Sequence, residues 1–163
     1  MRALAAIVIA SLSIPAAAVA GVPPPVTTST TDTDTRAFVG LNWSFGSGGT
    51  KPEGIVGLAR TKTDSDGDAK GVKAAVHFDF SNGFAFEKLK LTGLLGTNEA
   101  QAELGGGYDF GSGLFGTVGA NLPYFALGAD VMLSGGIEGY AGIHTLGKTN
   151  VPAEAVVILP PPP

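Results

Sequence analysis

Hydrophobic and polar residues alternate with a period of two through most of the segment 36–146. This alternation is typical of β-strands, in which successive side chains point to opposite faces. In the run 72–80 one face carries Val72, Ala74, Val76, Phe78 and Phe80, and the other carries Lys73, Ala75, His77 and Asp79. No 3.6-residue helical period competes with the pattern, so it predicts an all-β chain.

Glycine-rich and polar turns divide the segment into about eight short strands. The predicted strands are 37–45, 54–63, 72–80, 84–95, 100–110, 114–121, 124–133 and 137–145. Because an open meander would expose two long edges, we predict an antiparallel up-and-down meander that closes into a barrel.

One hairpin carries a specific signal. Asn82-Gly83 accepts positive φ angles and favours a tight turn. Phe84 and Phe86 differ in parity from Leu89 and the leucines that follow it. This change of parity predicts either a β-bulge near Glu87 or a longer hairpin loop.

The ends of the chain have different compositions. Residues 1–20 combine Arg2, an uncharged apolar run over 4–12 and the small residues Ala18-Val19-Ala20, which together indicate a cleaved secretory signal peptide. Residues 21–35 are rich in Pro and Thr and are interpreted as a linker before the barrel domain, 36–146. The Pro-rich tail, 147–163, contains an apolar run over 155–159 that could add one more strand.

The composition narrows the class of protein. The chain has no cysteine, so disulfides cannot stabilise it. A net charge of −4 indicates no basic patch of the kind that nucleic acid requires, which argues against binding to nucleic acid. Glycine is abundant, with 25 residues, and in strands it would allow large polar groups to interleave in a tight barrel.

The predicted polar faces carry charges of both signs. They include Lys73, Asp79, Lys88, Lys90, Glu103, Asp109, Asp130 and Glu138. We expect these groups to pair inside a narrow barrel, with the apolar face outward toward lipid. The alternative is a soluble barrel or sandwich whose apolar face points inward. Aromatic residues, Trp43, Tyr108 and Phe115 among them, concentrate at one predicted end of the strands, as in a membrane-interface girdle.

Two segments illustrate the pattern: 38–45, Phe-Val-Gly-Leu-Asn-Trp-Ser-Phe, and 105–110, Gly-Gly-Gly-Tyr-Asp-Phe. With the signal peptide, they give the chain a pattern that resembles small outer-membrane β-barrel proteins of the OmpA/OmpX type. The resemblance implies an eight-stranded up-and-down barrel, a polar interior filled by side chains, and termini in the periplasm.

Three groups of residues have compositions found in metal or catalytic sites. The turn 64–68, Asp-Ser-Asp-Gly-Asp, has the wrong spacing for an EF-hand calcium loop and is interpreted as a polar turn. Ser44, His77 and Asp79 have the composition of a nucleophilic triad without its geometry. His77 and His144 are predicted at opposite ends of the barrel, so they cannot share a metal. We therefore predict no catalytic, cofactor-binding or metal site.

The sequence thus predicts a structural, non-enzymatic barrel of the bacterial outer membrane, exported through the Sec pathway. Its expected partners are outer-membrane lipids, and beyond these envelope or periplasmic proteins, with no nucleic acid. The alternatives are a soluble periplasmic or surface binding module and a lipid-modifying outer-membrane enzyme.

Overall fold

The computed structural model describes residues 26–81 and 83–157. These residues form ten β-strands and no helix. The strands are β1 (Val26–Thr28), β2 (Thr31–Gly46), β3 (Gly49–Asp64), β4 (Asp68–Asp79), β5 (Ala85–Thr97), β6 (Gln101–Asp109), β7 (Gly113–Asn121), β8 (Phe125–Met132), β9 (Ile137–His144) and β10 (Ala155–Val157).

Strands β2 to β9 form a closed barrel in which each strand pairs with the next one along the chain. All of these pairs are antiparallel, including β2 with β9, which closes the barrel from Gly40↔His144 to Phe45↔Gly139. The predicted all-β, eight-stranded, up-and-down barrel is therefore confirmed. We call the end where β2 begins and β9 stops the terminal end, and the opposite end the far end.

Strands β2 and β3 are longer than the sequence pattern suggested. Thr31 pairs with Asp64 and Thr35 with Arg60, so the last residues of the predicted linker, 31–35, belong to a strand. Threonine is β-branched and suits a strand, and the long partner β3 satisfies its backbone. The predicted signal peptide, 1–20, lies outside the described residues.

The hairpin between β4 and β5 contains both of the irregularities that the sequence left open. The pairing passes from His77↔Lys88 to Phe78↔Phe86, which makes Glu87 the extra residue of a bulge. The loop is also longer than a two-residue turn, because β4 ends at Asp79 and β5 begins at Ala85. Asn82 of the predicted turn lies outside the described residues, and Phe84 adopts a positive φ of 67°. The Phe84 ring stacks on Phe78, with a centroid distance of 5.0 Å, and this contact helps to hold the unusual backbone.

The barrel places its polar face inside and its apolar face outside. All eight charged residues that the sequence assigned to the polar faces point inward, and most of them are buried. The outer face exposes large apolar residues on every strand of the barrel, among them Leu41, Leu58, Leu91, Leu104, Val118 and Ile143. Phe115, which the pattern placed in the aromatic girdle, is instead buried in the interior.

Glycines make room for large rings in the interior, among them those of Tyr140 and Phe38. A Cβ atom at Gly119 or Gly128 would lie 2.5 or 2.6 Å from the hydroxyl of Tyr140. A Cβ atom at Gly57 would lie 2.6 Å from the ring of Phe38. Large rings therefore pack against glycines across the interior. The glycine content predicted this interleaving for large polar groups.

The segment after β9 folds back over the terminal end. Leu146 is buried against Phe38, Ala59 and Ala75 and forms the one apolar cluster of the described interior. Farther along, β10 pairs with β1 in a separate two-stranded sheet. The apolar run of the tail thus forms a strand over 155–157, but this strand is not part of the barrel; residues 158–163 lie outside the described residues.

Candidate functional site

The most distinctive site of this molecule is the buried polar interior of the barrel. At its centre the Lys88 ammonium lies 2.5 Å from a carboxylate oxygen of Glu138 on β9 and 3.8 Å from one of Asp130 on β8. The Lys90 ammonium lies 2.8 Å from the other oxygen of Asp130. Two lysines of β5 are therefore linked across the interior to β8 and β9.

Glu53 of β3 is the most highly connected carboxylate of the interior. It accepts hydrogen bonds from the Ser44 hydroxyl and from the Asn42 amide, the latter at 3.1 Å. The Nδ1 atom of His77 lies 2.6 Å from Oε2, the oxygen that Asn42 also contacts. The Lys88 ammonium lies 3.3 Å from Oε1. A fully buried carboxylate with this many partners is stabilised as the anion because charge-assisted hydrogen bonds replace its water.

A third group lies nearer the terminal end. The Lys73 ammonium on β4 lies 2.6 Å from Glu103 on β6 and donates a second hydrogen bond to Asn121, at 3.2 Å. Thr92 of the intervening strand donates to the other oxygen of Glu103 at 2.9 Å. The pair is therefore desolvated but well satisfied, which a buried ion pair requires.

Aromatic rings complete the interior around Lys90. Its ammonium lies 3.9 Å from the centroid of the Tyr140 ring and 5.7 Å from that of Phe115. These distances are within the range of cation–π contacts, which gain strength where water is excluded.

The terminal mouth of the barrel is covered by the tail. The Arg36 guanidinium donates to the carbonyl oxygens of Leu146, at 3.2 Å, and Lys148, at 2.6 Å. Thr63 holds Thr149 through their hydroxyls, at 3.1 Å. Outside, Lys148 lies 2.6 Å from Glu99 in the β5–β6 turn. That hydrogen bond lowers the pKa of the exposed Glu99 carboxyl and raises the pKa of the Lys148 ammonium.

The interior is filled by side chains. The cavity that Lys73, His77, Lys90, Tyr140 and His144 help to line has a volume of about 30 Å³. A ligand pocket for a drug-sized molecule has a volume of about 300–1,000 Å³. This arrangement supports cross-linking and electrostatic stabilisation of the barrel, and it leaves no room for a substrate of that size.

The residues with triad composition are only partly brought together. Ser44 and His77 both contact Glu53. Glu53 was not among the predicted polar-face residues, because the predicted second strand began at residue 54. The serine hydroxyl donates to the carboxylate, whereas nucleophilic activation requires a bond to the base. Asp79 accepts a hydrogen bond from the backbone N–H of Ser81, at 2.6 Å, in the far-end turn. The parity of Glu53 with Gly57 and Ala59 was the signal that could have placed it inside.

The acidic segment 64–68 forms the predicted polar turn. One Asp64 carboxylate oxygen accepts the backbone N–H groups of Asp66, at 3.1 Å, and Asp68, at 2.9 Å. Gly67 supplies the positive φ of 88° that the turn needs. The described residues contain no group of three or more His, Cys, Asp and Glu residues placed to hold a metal ion.

The outer surface has an ordered distribution of side chains. Apolar residues form a band around the barrel, and exposed aromatic residues lie at its far end: Trp43, Phe45, Phe80, Phe84, Phe86, Tyr108 and Phe110. At the terminal end Tyr124 and Phe125 are exposed as well. Within the described part of the chain, no helix is long and apolar enough to cross a bilayer.

No protein-family model, no curated protein and no solved structure matches this chain.

Proposed function

We propose that this chain is a structural, non-enzymatic β-barrel protein of the bacterial outer membrane. The observation that carries the proposal is the inverted polarity of the barrel. Charged groups such as Lys88, Glu53 and Glu103 are buried, while Leu91, Leu104 and Val118 are exposed. In water this arrangement would cost burial of charge and gain little burial of apolar surface.

A lipid environment accounts for both halves of the pattern. The exposed apolar band would face acyl chains, and closure of the sheet leaves no unpaired edge in the hydrocarbon. The aromatic residues at the far end, Trp43 and Tyr108 among them, would lie at a membrane interface. The alternative of a soluble barrel assumed an inward apolar face, and the described residues have that face outward.

The alternative of a lipid-modifying enzyme finds no support in the interior. Ser44 is only 1% exposed and donates to Glu53 rather than to a base. The Glu53–His77 contact is part of a buried network that lacks space for a substrate. An unchanged lipid A mass profile in cells that carry His77→Ala would agree with the structural role.

Expression of the full chain in a Gram-negative host tests the proposal. We expect it to remain with outer membranes after carbonate washing and to migrate differently on gels with and without heating. The mature chain should begin at Gly21 if residues 1–20 are the signal peptide. Recovery in the carbonate-soluble fraction, with no heat-dependent shift, would contradict the membrane assignment.

A further inference from the structure

The outer face of β2 to β5 changes its chemistry step by step toward the terminal end. Cross-strand partners define three successive rows on this face. The first row is Ala37, Leu58, Ala74 and Leu91; the second is Thr35, Arg60, Val72 and Gly93; the third is Thr33, Lys62, Lys70 and Leu95. The apolar band therefore gives way to a basic cluster, which we define as Arg60, Lys62 and Lys70.

The basic cluster lacks protein partners. All of its side chains are exposed, and within the described residues none takes part in an ion pair or a side-chain hydrogen bond. Every other lysine or arginine of the described chain lies within ion-pair distance of a carboxylate. Lys62 and Lys70 are also direct cross-strand partners, and like charges in this position destabilise a sheet.

An apolar hollow on the outer surface adjoins the cluster. Its volume is about 810 Å³, and Leu58, Ala74, Val76, Leu89, Leu91 and Tyr108 help to line it. The hollow reaches the first row, and Lys70 lies four residues from Ala74 on the same face of β4, a distance of about 13 Å. Apolar contacts and the cations are thus arranged along one line parallel to the strands.

We propose that this surface binds one anionic glycerophospholipid, with its phosphate at Arg60, Lys62 and Lys70 and an acyl chain in the adjoining hollow. The proposal rests on the proposed membrane location and adds a specific lipid site to it. An arginine and two lysines are opposite in sign to a phosphate, and arginine can bind it through two N–H donors. Basic residues at this depth favour anionic lipids.

The neighbouring carboxylates lie on the aqueous side of the cluster. Lys62, Lys70 and Leu95 line an open concavity of about 450 Å³, together with Asp64 and Asp68. Asp64 is engaged by the backbone N–H groups of its own turn. The acidic side chains therefore mark the side away from the acyl chains, where a headgroup meets water.

Quenching by brominated lipid tests the proposal at the site itself. The full chain carrying Trp43→Phe and Leu95→Trp would be refolded into phosphatidylcholine vesicles with a minor fraction of phosphatidylglycerol. Bromine on the acyl chains of one lipid or the other gives their relative association at the new indole. We expect a preference for phosphatidylglycerol of about fivefold or more, since each nearby cation contributes about that factor.

The control variants separate the site from general charge effects. Arg60→Gln, Lys62→Gln and Lys70→Gln together should reduce the preference to about onefold, whereas Lys51→Gln, at the far end, should leave it unchanged. If the triple variant keeps the same preference for phosphatidylglycerol as its parent, the proposal is overturned. An equally strong preference measured with Trp43 at the far end of the unsubstituted chain would also overturn it.

Two further outcomes are distinguishable. Inorganic phosphate should not displace the lipid, because the acyl contacts add to the phosphate contact. Displacement by phosphate where chloride has no effect would assign the cluster to a free anion and overturn the lipid site. If neither brominated lipid quenches either tryptophan, the chain has not inserted, and both the proposed membrane location and the lipid site that rests on it are overturned.

Discussion

Two lysine–glutamate pairs of equal length show how burial determines the value of a charge. Lys73–Glu103 and Lys148–Glu99 both have a nitrogen–oxygen distance of 2.6 Å. The first pair is enclosed in the barrel, and the second lies in water. Removing the glutamate should therefore destabilise the protein only at the buried site. The exposed lysine can be solvated by water in place of its partner, whereas the buried lysine cannot.

We expect Glu103→Ala to destabilise the protein by about 3–5 kcal/mol, since Lys73 would remain buried without a carboxylate. Glu99→Ala is the matched control and should leave the free energy of unfolding unchanged. Denaturant unfolding in detergent or lipid measures both. Equal, negligible effects would show that the polar face of the barrel is accessible to water.

A second residue-scale prediction concerns the glycines that surround Tyr140. Gly119→Ala should cost about 1–3 kcal/mol, because the new methyl group overlaps the tyrosine hydroxyl and the Leu127 carbonyl oxygen. Gly116 lies on the same strand but on the outer face, where a Cβ atom meets no atom closer than 3.9 Å. Gly116→Ala should therefore be tolerated in the same unfolding measurement, and equal losses would argue against packing as the cause.

Sequence reasoning worked well at this scale where the alternation was clear. The parity of Lys73, Lys90 and Asp130 placed each of them correctly on the face that proved to be the interior. It failed for Glu53, because weak alternation in the second strand hid the residue that gathers most partners. It also misplaced Phe115, since the parity of an aromatic residue does not reveal that Gly107 has left space for its ring.

At the scale of elements, the tail is the feature that local patterns could not predict. Leu146 has no periodic neighbours, and its burial depends on Arg36 and Phe38, far away in the sequence. The pairing of β1 with β10 is similarly non-local. The eight strands of the barrel were predictable because each pairs with its neighbour in the chain. The contacts of Leu146 and of β10 instead join residues near the two ends of the chain.

The tail should contribute to stability through this one apolar anchor. Leu146→Ala is expected to cost about 2–5 kcal/mol, the usual range for truncating a buried leucine. Val151→Ala, at an exposed position of the same segment, should stay within about 0.5 kcal/mol. The comparison uses chemical unfolding of the refolded full chain. No difference between the two variants would mean that the tail is not seated in the barrel mouth.

At the scale of the whole molecule, a substitution on the outward apolar face shows whether that face meets lipid or water. Leu104 is 70% exposed, so in water Leu104→Arg should change stability by no more than about 0.5 kcal/mol. In a bilayer the same change should cost about 2–4 kcal/mol, because the outer band would meet hydrocarbon. Thr50→Arg, near a hairpin tip, is the control and should cost about 0–1 kcal/mol. Unfolding in vesicles measures these values.

The ion pairs of the interior also have a consequence for how the strands find their alignment. Side-chain direction repeats every two residues, so a strand displaced by two residues would keep the outer surface equally apolar. The hydrophobic pattern alone cannot reject that error. The charges can, because displacing β4 by two residues would carry Lys73 away from Glu103 and leave a buried carboxylate without its lysine. The buried ion pairs thus distinguish the correct strand register from one displaced by two residues, which the hydrophobic pattern of the outer surface would tolerate.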